Sequence, residues 1–172
     1  MILFGYCENE LKKLPDNSVD LIVTSPPYAE RRTKTYGGIP EDEYVEWFKP
    51  IAFEIKRVLK PTGSFFLNIK PHSKDGERSL YVFDLILCLK REIGFKFVDE
   101  YTWIKNAFPT GSYGRFKNGF EPVYHFIKGD IDKIIFNPLA CGTPMTEESK
   151  SRAKRKNTKN TSNGSNMAMN KD

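Results

Sequence analysis

The order of hydrophobic patterns along this 172-residue chain predicts an α/β fold: part of a three-layer α/β/α sheet with an antiparallel strand pair towards the carboxyl end. Three observations carry that expectation. Short apolar runs alternate with longer stretches of helical period. One run, residues 64–69, is almost continuously apolar, as expected of a parallel strand buried on both faces. Another ends in two prolines, a stiff turn at a strand's carboxyl end, where open α/β sheets place their ligands.

Taken in order, Ile2-Leu3-Phe4 predicts a first strand ending at Gly5, and residues 8–14 suit a short helix. Pro15-Asp16-Asn17-Ser18 is a turn by composition, and residues 19–24 form the strand that feeds Pro26 and Pro27. Residues 29–40 carry Arg31, Arg32, Lys34 and two glycines without apolar period, and read as a mobile basic loop. Glu41 and Asp42 open a helix in which Tyr44, Phe48, Ile51, Ile55 and Val58 recur at helical spacing, with Lys60-Pro61-Thr62-Gly63 as its stop. A second helix is expected over residues 77–93, with Leu80, Phe83, Ile86 and Leu87 inward and Gly94 as its stop. Residues 95–105 alternate like a strand, residues 108–119 form a loop, and residues 123–128 return as a strand antiparallel to the previous one.

Residues 1–136 thus read as one folded unit and residues 137–172 as a basic, polar tail. Its final part, residues 150–172, lacks any period and is expected to be disordered. The 27 Lys and Arg against 22 Asp and Glu give a net charge of +5, which permits a polyanionic partner. Cys7, Cys88 and Cys141 have no paired spacing, and His72 and His125 show no ligand constellation, so neither a disulfide framework nor a metal site is expected. No apolar run approaches a membrane span and no signal peptide is apparent, which points to the cytoplasm.

The run Thr24-Ser25-Pro26-Pro27-Tyr28 carries the chemistry. Each proline fixes its own φ, and Pro27 also keeps Pro26 out of the helical region. With a hydroxyl before the turn and a ring after it, the segment suits a flat, amino-bearing ring: acceptors grip the amino group while tyrosine stacks. Alone, the pentapeptide is better explained as a surface turn. Its context decides otherwise.

Residues 5–28, ending in this run, resemble the opening of DNA amino-methyltransferases, which methylate N4 of cytosine or N6 of adenine using S-adenosylmethionine. The resemblance continues through residues 57–69, then at Trp103-Ile104-Lys105-Asn106 and through residues 115–128, in the same order. Serine at the head of the tetrad is similar to the cytosine branch, whereas the adenine branch more often carries Asp or Asn. The resemblance implies that Ser25 Oγ and a carbonyl of the Pro26-Pro27 turn hold the amino hydrogens, while Tyr28 stacks on a base flipped from double-stranded DNA. It offers Tyr6, Thr24 and Asn68 as cofactor contacts, although Asn68 suits a strand-end polar residue equally well. Arg115, Phe116 and Phe120 lie where the family approaches the flipped base, and Arg31, Arg32 and Lys34 are candidate phosphate contacts. Trp103 reads as core and His125 as a satisfied sheet residue.

Two departures stand out. The family's Gly-Asp pair after the first strand is Gly5-Tyr6 here, and its Phe-x-Gly-x-Gly segment occurs nowhere in the sequence. The expectation is therefore the amino-terminal catalytic part of a split or truncated enzyme of the permuted class, needing a complementing chain for the cofactor. On this view the tail is either disordered or the start of a target-recognition region. RNA or protein-glutamine methylation is disfavoured by motif order. Adenine methylation and a non-catalytic DNA-binding remnant are the competing readings.

Overall fold

The structure, a computed structural model, describes residues 2–31, 38–74, 76–106, 114, 118–142 and 144–154. It contains two compact units, Met1–Ile135 and Phe136–Asp172. In the first, residues 2–4 are irregular and largely exposed, not the predicted strand. An apolar run becomes a strand only beside a neighbour that supplies hydrogen bonds, and no described strand pairs with it. Helix α1 (Cys7–Glu10) passes into a 3₁₀ turn, Leu11–Lys13. The Arg57 guanidinium holds this segment, donating to the Leu11 and Leu14 carbonyls at 2.9 Å each and pairing with Asp16 at 2.5 Å.

Next come β1 (Val19–Thr24), α2 (Tyr44–Val58) and β2 (Leu59–Asn68), then a small hairpin of β3 (Ser73–Lys74) and β4 (Glu77–Arg78). Helix α3 (Tyr81–Arg91) and strands β5 (Lys96–Ile104) and β6 (Phe120–Ile127) complete the unit. The main sheet has the order β1-β2-β6-β5, with β1 and β2 parallel and the other neighbours antiparallel. The mixed α/β class and the antiparallel pair expected from sequence are both present. Within the described residues β1 is an edge, its outer side unpaired.

Three local expectations need correction. The helix stop placed at residues 60–63 lies inside β2: Val19 pairs with Leu59 but Leu21 with Ser64, so the intervening segment bulges. The chain after β6 crosses here so closely that a Cβ at Gly129 would fall 2.1 Å from the Pro61 carbonyl oxygen. Residues 77–78 belong to the hairpin, so α3 begins only at Tyr81. Its inward stripe is Tyr81, Val82, Leu85, Cys88 and Leu89, while Leu80, Phe83 and Leu87 are exposed. The helix is apolar on two sides, so periodicity alone does not set its phase.

Phe65 and Leu67 of β2 and Tyr124 and Phe126 of β6 share one core with α2 and α3. Burying each such side chain contributes about 1.5–3 kcal/mol. On the opposite face Phe66 stacks on His125 at 4.3 Å, while Leu21, Val23 and Trp103 remain more than half exposed. The described residues thus supply the sheet and one helical layer.

In the second unit a 3₁₀ turn, Pro138–Cys141, precedes α4 (Glu147–Lys154). The Thr146 hydroxyl starts this helix by accepting the Ser149 N–H at 3.2 Å. The expectation of disorder from residue 150 is thus corrected for residues 150–154, and the rest of it lies outside the described residues. No described helix is long and apolar enough to cross a membrane.

Candidate functional site

Strand β1 delivers Thr24 to the carboxyl end of the sheet, and residues 25–28 turn away from it. Ser25 is exposed and Pro26 buried. The turn is braced from behind: Tyr44, fully buried in the first turn of α2, donates its hydroxyl to the Pro27 carbonyl at 2.6 Å. The Tyr44 ring is held against Tyr81 and Trp47, at 4.6 and 5.2 Å between centroids. Burial, with Tyr81 and Tyr28 nearby, pushes the Tyr44 phenol far above its ordinary pKa, so it stays a donor.

In front of the turn, the Tyr28 hydroxyl donates to Glu121 Oε2 at 3.2 Å. The antiparallel return of β6 brings this carboxylate back, and Lys105, just past β5, pairs with its other oxygen. Burial raises the Tyr28 pKa, and Glu121 adds to the rise. Burial pulls the Glu121 carboxyl upward, yet Lys105, the Tyr28 hydroxyl and Lys70 together hold it below the usual range. At neutral pH the pair is a neutral phenol donating to a carboxylate, which fixes the edge of the Tyr28 ring. Sequence reasoning missed Glu121 and Lys105. Both lie in the segments that carry the resemblance, but their meeting with Tyr28 depends on the antiparallel register.

A cleft of about 910 Å³ opens beside the turn. Gly5, Tyr6, Cys7, Glu8 and Leu11 form one wall, Thr24 to Pro27 the strand end, and Phe48, Ile51 and Ile55 of α2 the apolar floor. Tyr6 and Thr24 therefore stand together. Asn68 stands apart: its amide donates to the Pro122 carbonyl at 3.0 Å, and strand alternation puts it on the face opposite buried Leu67.

Arg31 is exposed just past the turn, its N–H bonded to the Tyr28 carbonyl at 3.1 Å. Arg32, Lys34, Arg115 and Phe116 lie outside the described residues. Phe120 begins β6 with the Lys70 ammonium 5.3 Å from its ring centre; Lys70 also donates to Asn118 Oδ1 at 2.9 Å. Burial, then Arg78, pushes the Lys70 pKa down. Trp103, expected in the core, is 56% exposed because β5 is the far edge strand. His125 is buried with Nε2 3.0 Å from Ser64 Oγ, but its Nδ1 is buried without a hydrogen-bond partner, so the expected satisfied sheet residue is satisfied at one ring nitrogen only.

Comparison with known proteins matches residues 19–169 to the N6/N4 DNA methylase family model. The type II methyltransferase M.PvuII of Proteus hauseri is 37% identical over 95 residues, covering 54% of this chain and 28% of that protein. The DNA adenine methyltransferase YhdJ of Escherichia coli is 27% identical over 158 residues, covering 90% of this chain and 48% of YhdJ. The solved PvuII DNA methyltransferase (cytosine-N4-specific) superposes with a TM-score of 0.62 at 30% identity, over 72% of this chain and 47% of that one. The structure of TTHA0409 from Thermus thermophilus, complexed with S-adenosyl-L-methionine, shares the fold at a TM-score of 0.54 and 20% identity, over 87% of this chain and 58% of that one. The chain thus spans between a quarter and a half of the length of these two sequence relatives.

Proposed function

Because the chain belongs to the N6/N4 DNA methylase family, we propose that it forms the base-gripping part of an enzyme that methylates the N4 amino group of cytosine in double-stranded DNA. The observation that carries this reading is the turn of residues 25–28 at the carboxyl end of β1, braced by Tyr44 and faced by Glu121. The amino nitrogen of a base is a poor nucleophile because its lone pair is delocalised into the ring. Ser25 Oγ and the Pro26 carbonyl accept its hydrogens and turn that lone pair out of the ring plane. The Pro27 carbonyl is already tied to Tyr44, which keeps the turn stiff. Tyr28 stacks on the flipped base, a contact worth about 1–3 kcal/mol against the cost of unstacking. Arg31, Arg32 and Lys34 contact phosphates, and Arg115, Phe116 and Phe120 lie against the flipped base. Asn68 has its amide committed to the sheet and is a poorer cofactor contact than Tyr6 or Thr24.

S-adenosylmethionine supplies an electrophilic methyl group when bound. The cleft beside Tyr6 and Thr24 fits it in size and apolar character. It lacks a carboxylate at position 6 and a glycine-rich cradle. In this reading those groups come from a complementing polypeptide that pairs with the outer edge of β1 and covers Leu21 and Val23. Ser25 and the likeness to M.PvuII favour cytosine; the match to YhdJ is the reason to assay adenine as well. Such an enzyme works in the cytoplasm beside genomic DNA. Calorimetry with S-adenosylmethionine, then transfer of labelled methyl to duplex DNA, tests the proposal. Weak cofactor binding by the chain alone, and transfer on complementation that Ser25→Ala and Tyr28→Ala abolish, are expected. Tight binding by the chain alone refutes the need for a complement, and no transfer on complementation favours a non-catalytic subunit.

A further inference from the structure

Three segments distant in sequence converge near Tyr28: Glu30 past the turn, Glu41 ahead of α2, and His72 just beyond β2. One ligand-type atom from each lies within 4.8 Å of the others. His72 Nε2 stands 2.8 Å from Glu41 Oε1 and 3.9 Å from Glu30 Oε2, and the imidazole side chain is only 9% exposed. Glu41 Oε1 is buried and has no hydrogen-bond partner even so. The 2.8 Å approach is therefore not an aligned N–H···O bond. Nδ1 of the same ring is buried and equally without a hydrogen-bond partner, and the ring packs beside Tyr81, 6.1 Å between centroids.

From this geometry we infer that Glu30, Glu41 and His72 bind one first-row divalent cation, which ties the loop after the base-gripping turn to α2 and to the end of β2. Donors bound at about 2.1 Å on adjacent corners of an octahedral ion lie about 3.0 Å apart, and on opposite corners about 4.2 Å. The 2.8 and 3.9 Å separations sit close to that range. A cation set off the line between Nε2 and Oε1 would give each of these two atoms a bond. The other Glu41 oxygen accepts the Ser79 hydroxyl at 2.5 Å, which orients the carboxylate. The other Glu30 oxygen accepts the Lys74 ammonium at 2.8 Å, so Glu30 is the weaker ligand. One imidazole and two carboxylates suit manganese, cobalt or zinc better than calcium or magnesium. Residues 30, 41 and 72 are too far apart for ligand spacing to show in the sequence.

The inference does not depend on the base or the methyl donor, and its test needs neither. Mn²⁺ is the probe, because thiols such as exposed Cys7 bind it poorly. Electron paramagnetic resonance should show one ion per chain with nitrogen coupling from one imidazole. At 100 times its Kd the ion should raise the thermal midpoint by about 5–10 °C. His72→Gln and Glu41→Gln should weaken binding at least tenfold, Glu30→Gln less, and His125→Gln not at all. If His72→Gln fails to fold, His125→Gln decides, since it leaves His72 as the chain's one histidine. No saturable Mn²⁺ binding, no nitrogen coupling, or unchanged affinity in a folded His72→Gln chain overturns the proposal.

Discussion

Replacing Tyr44 by Phe removes one oxygen and little else. The ring keeps its contacts with Trp47 and Tyr81, while the Pro27 carbonyl loses the hydroxyl that now reaches it at 2.6 Å. A net hydrogen bond contributes about 0.5–1.5 kcal/mol, and an acceptor left unpartnered in a half-buried place adds to the loss. The expected destabilisation is about 1–2 kcal/mol, or roughly 3–6 °C in thermal midpoint for a folded unit of this size. Urea unfolding of the chain alone measures it, with no cofactor or DNA present. Because burial holds the phenol protonated, the difference between Tyr44→Phe and wild type should be the same at pH 7 and pH 9. A loss below about 0.3 kcal/mol, with an unchanged unfolding slope, would refute the claim that Tyr44 braces the turn.

Three further outcomes are expected. Burial holds the His125 imidazole below its ordinary 6.5, so the unfolded chain takes up a proton first as pH falls. Stability should therefore fall as pH drops below 6.5, less steeply in His125→Gln; equal urea midpoints against pH for both proteins would exclude this. Glu121 is held below 4.5, so its contribution is present above that pH and lost as pH falls through the depressed value. Acid unfolding should show Glu121→Gln with a shallower loss below pH 4.5, and parallel curves would remove the Lys105 and Tyr28 contacts as the cause. Val23→Lys, on the exposed face of the edge strand, should change stability by no more than about 0.5 kcal/mol yet lower complemented activity at least tenfold. Full activity in that variant would show that nothing docks there.

Helix α2 was legible because Tyr44, Phe48, Ile51, Ile55 and Val58 make one apolar stripe against a charged face. Helix α3 was misphased because Leu80, Phe83 and Leu87 form a second stripe as apolar as the buried one. The tetrad's place at the end of β1 followed from local chemistry, two prolines after an apolar run. Its supports did not, since Glu121 reaches Tyr28 through strand register and Tyr44 reaches Pro27 through helix packing. Trp103 was misjudged for a related reason. Alternation shows which residues share a face, and the sheet order alone shows that β5 is an edge. Glu30, Glu41 and His72 are the extreme instance, three residues joined only by tertiary structure.

On the proposed reading, the turn of residues 25–28 grips a cytosine amino group in DNA for methyl transfer. Mass spectrometry of nucleosides from duplex DNA, treated with the complemented protein and methyl-deuterated S-adenosylmethionine, tests it most directly. Deuterated N4-methylcytosine, absent with Tyr28→Ala, is the predicted product. Deuterated N6-methyladenine in its place would contradict the choice of base, and no deuterated nucleoside at all would contradict the catalytic reading.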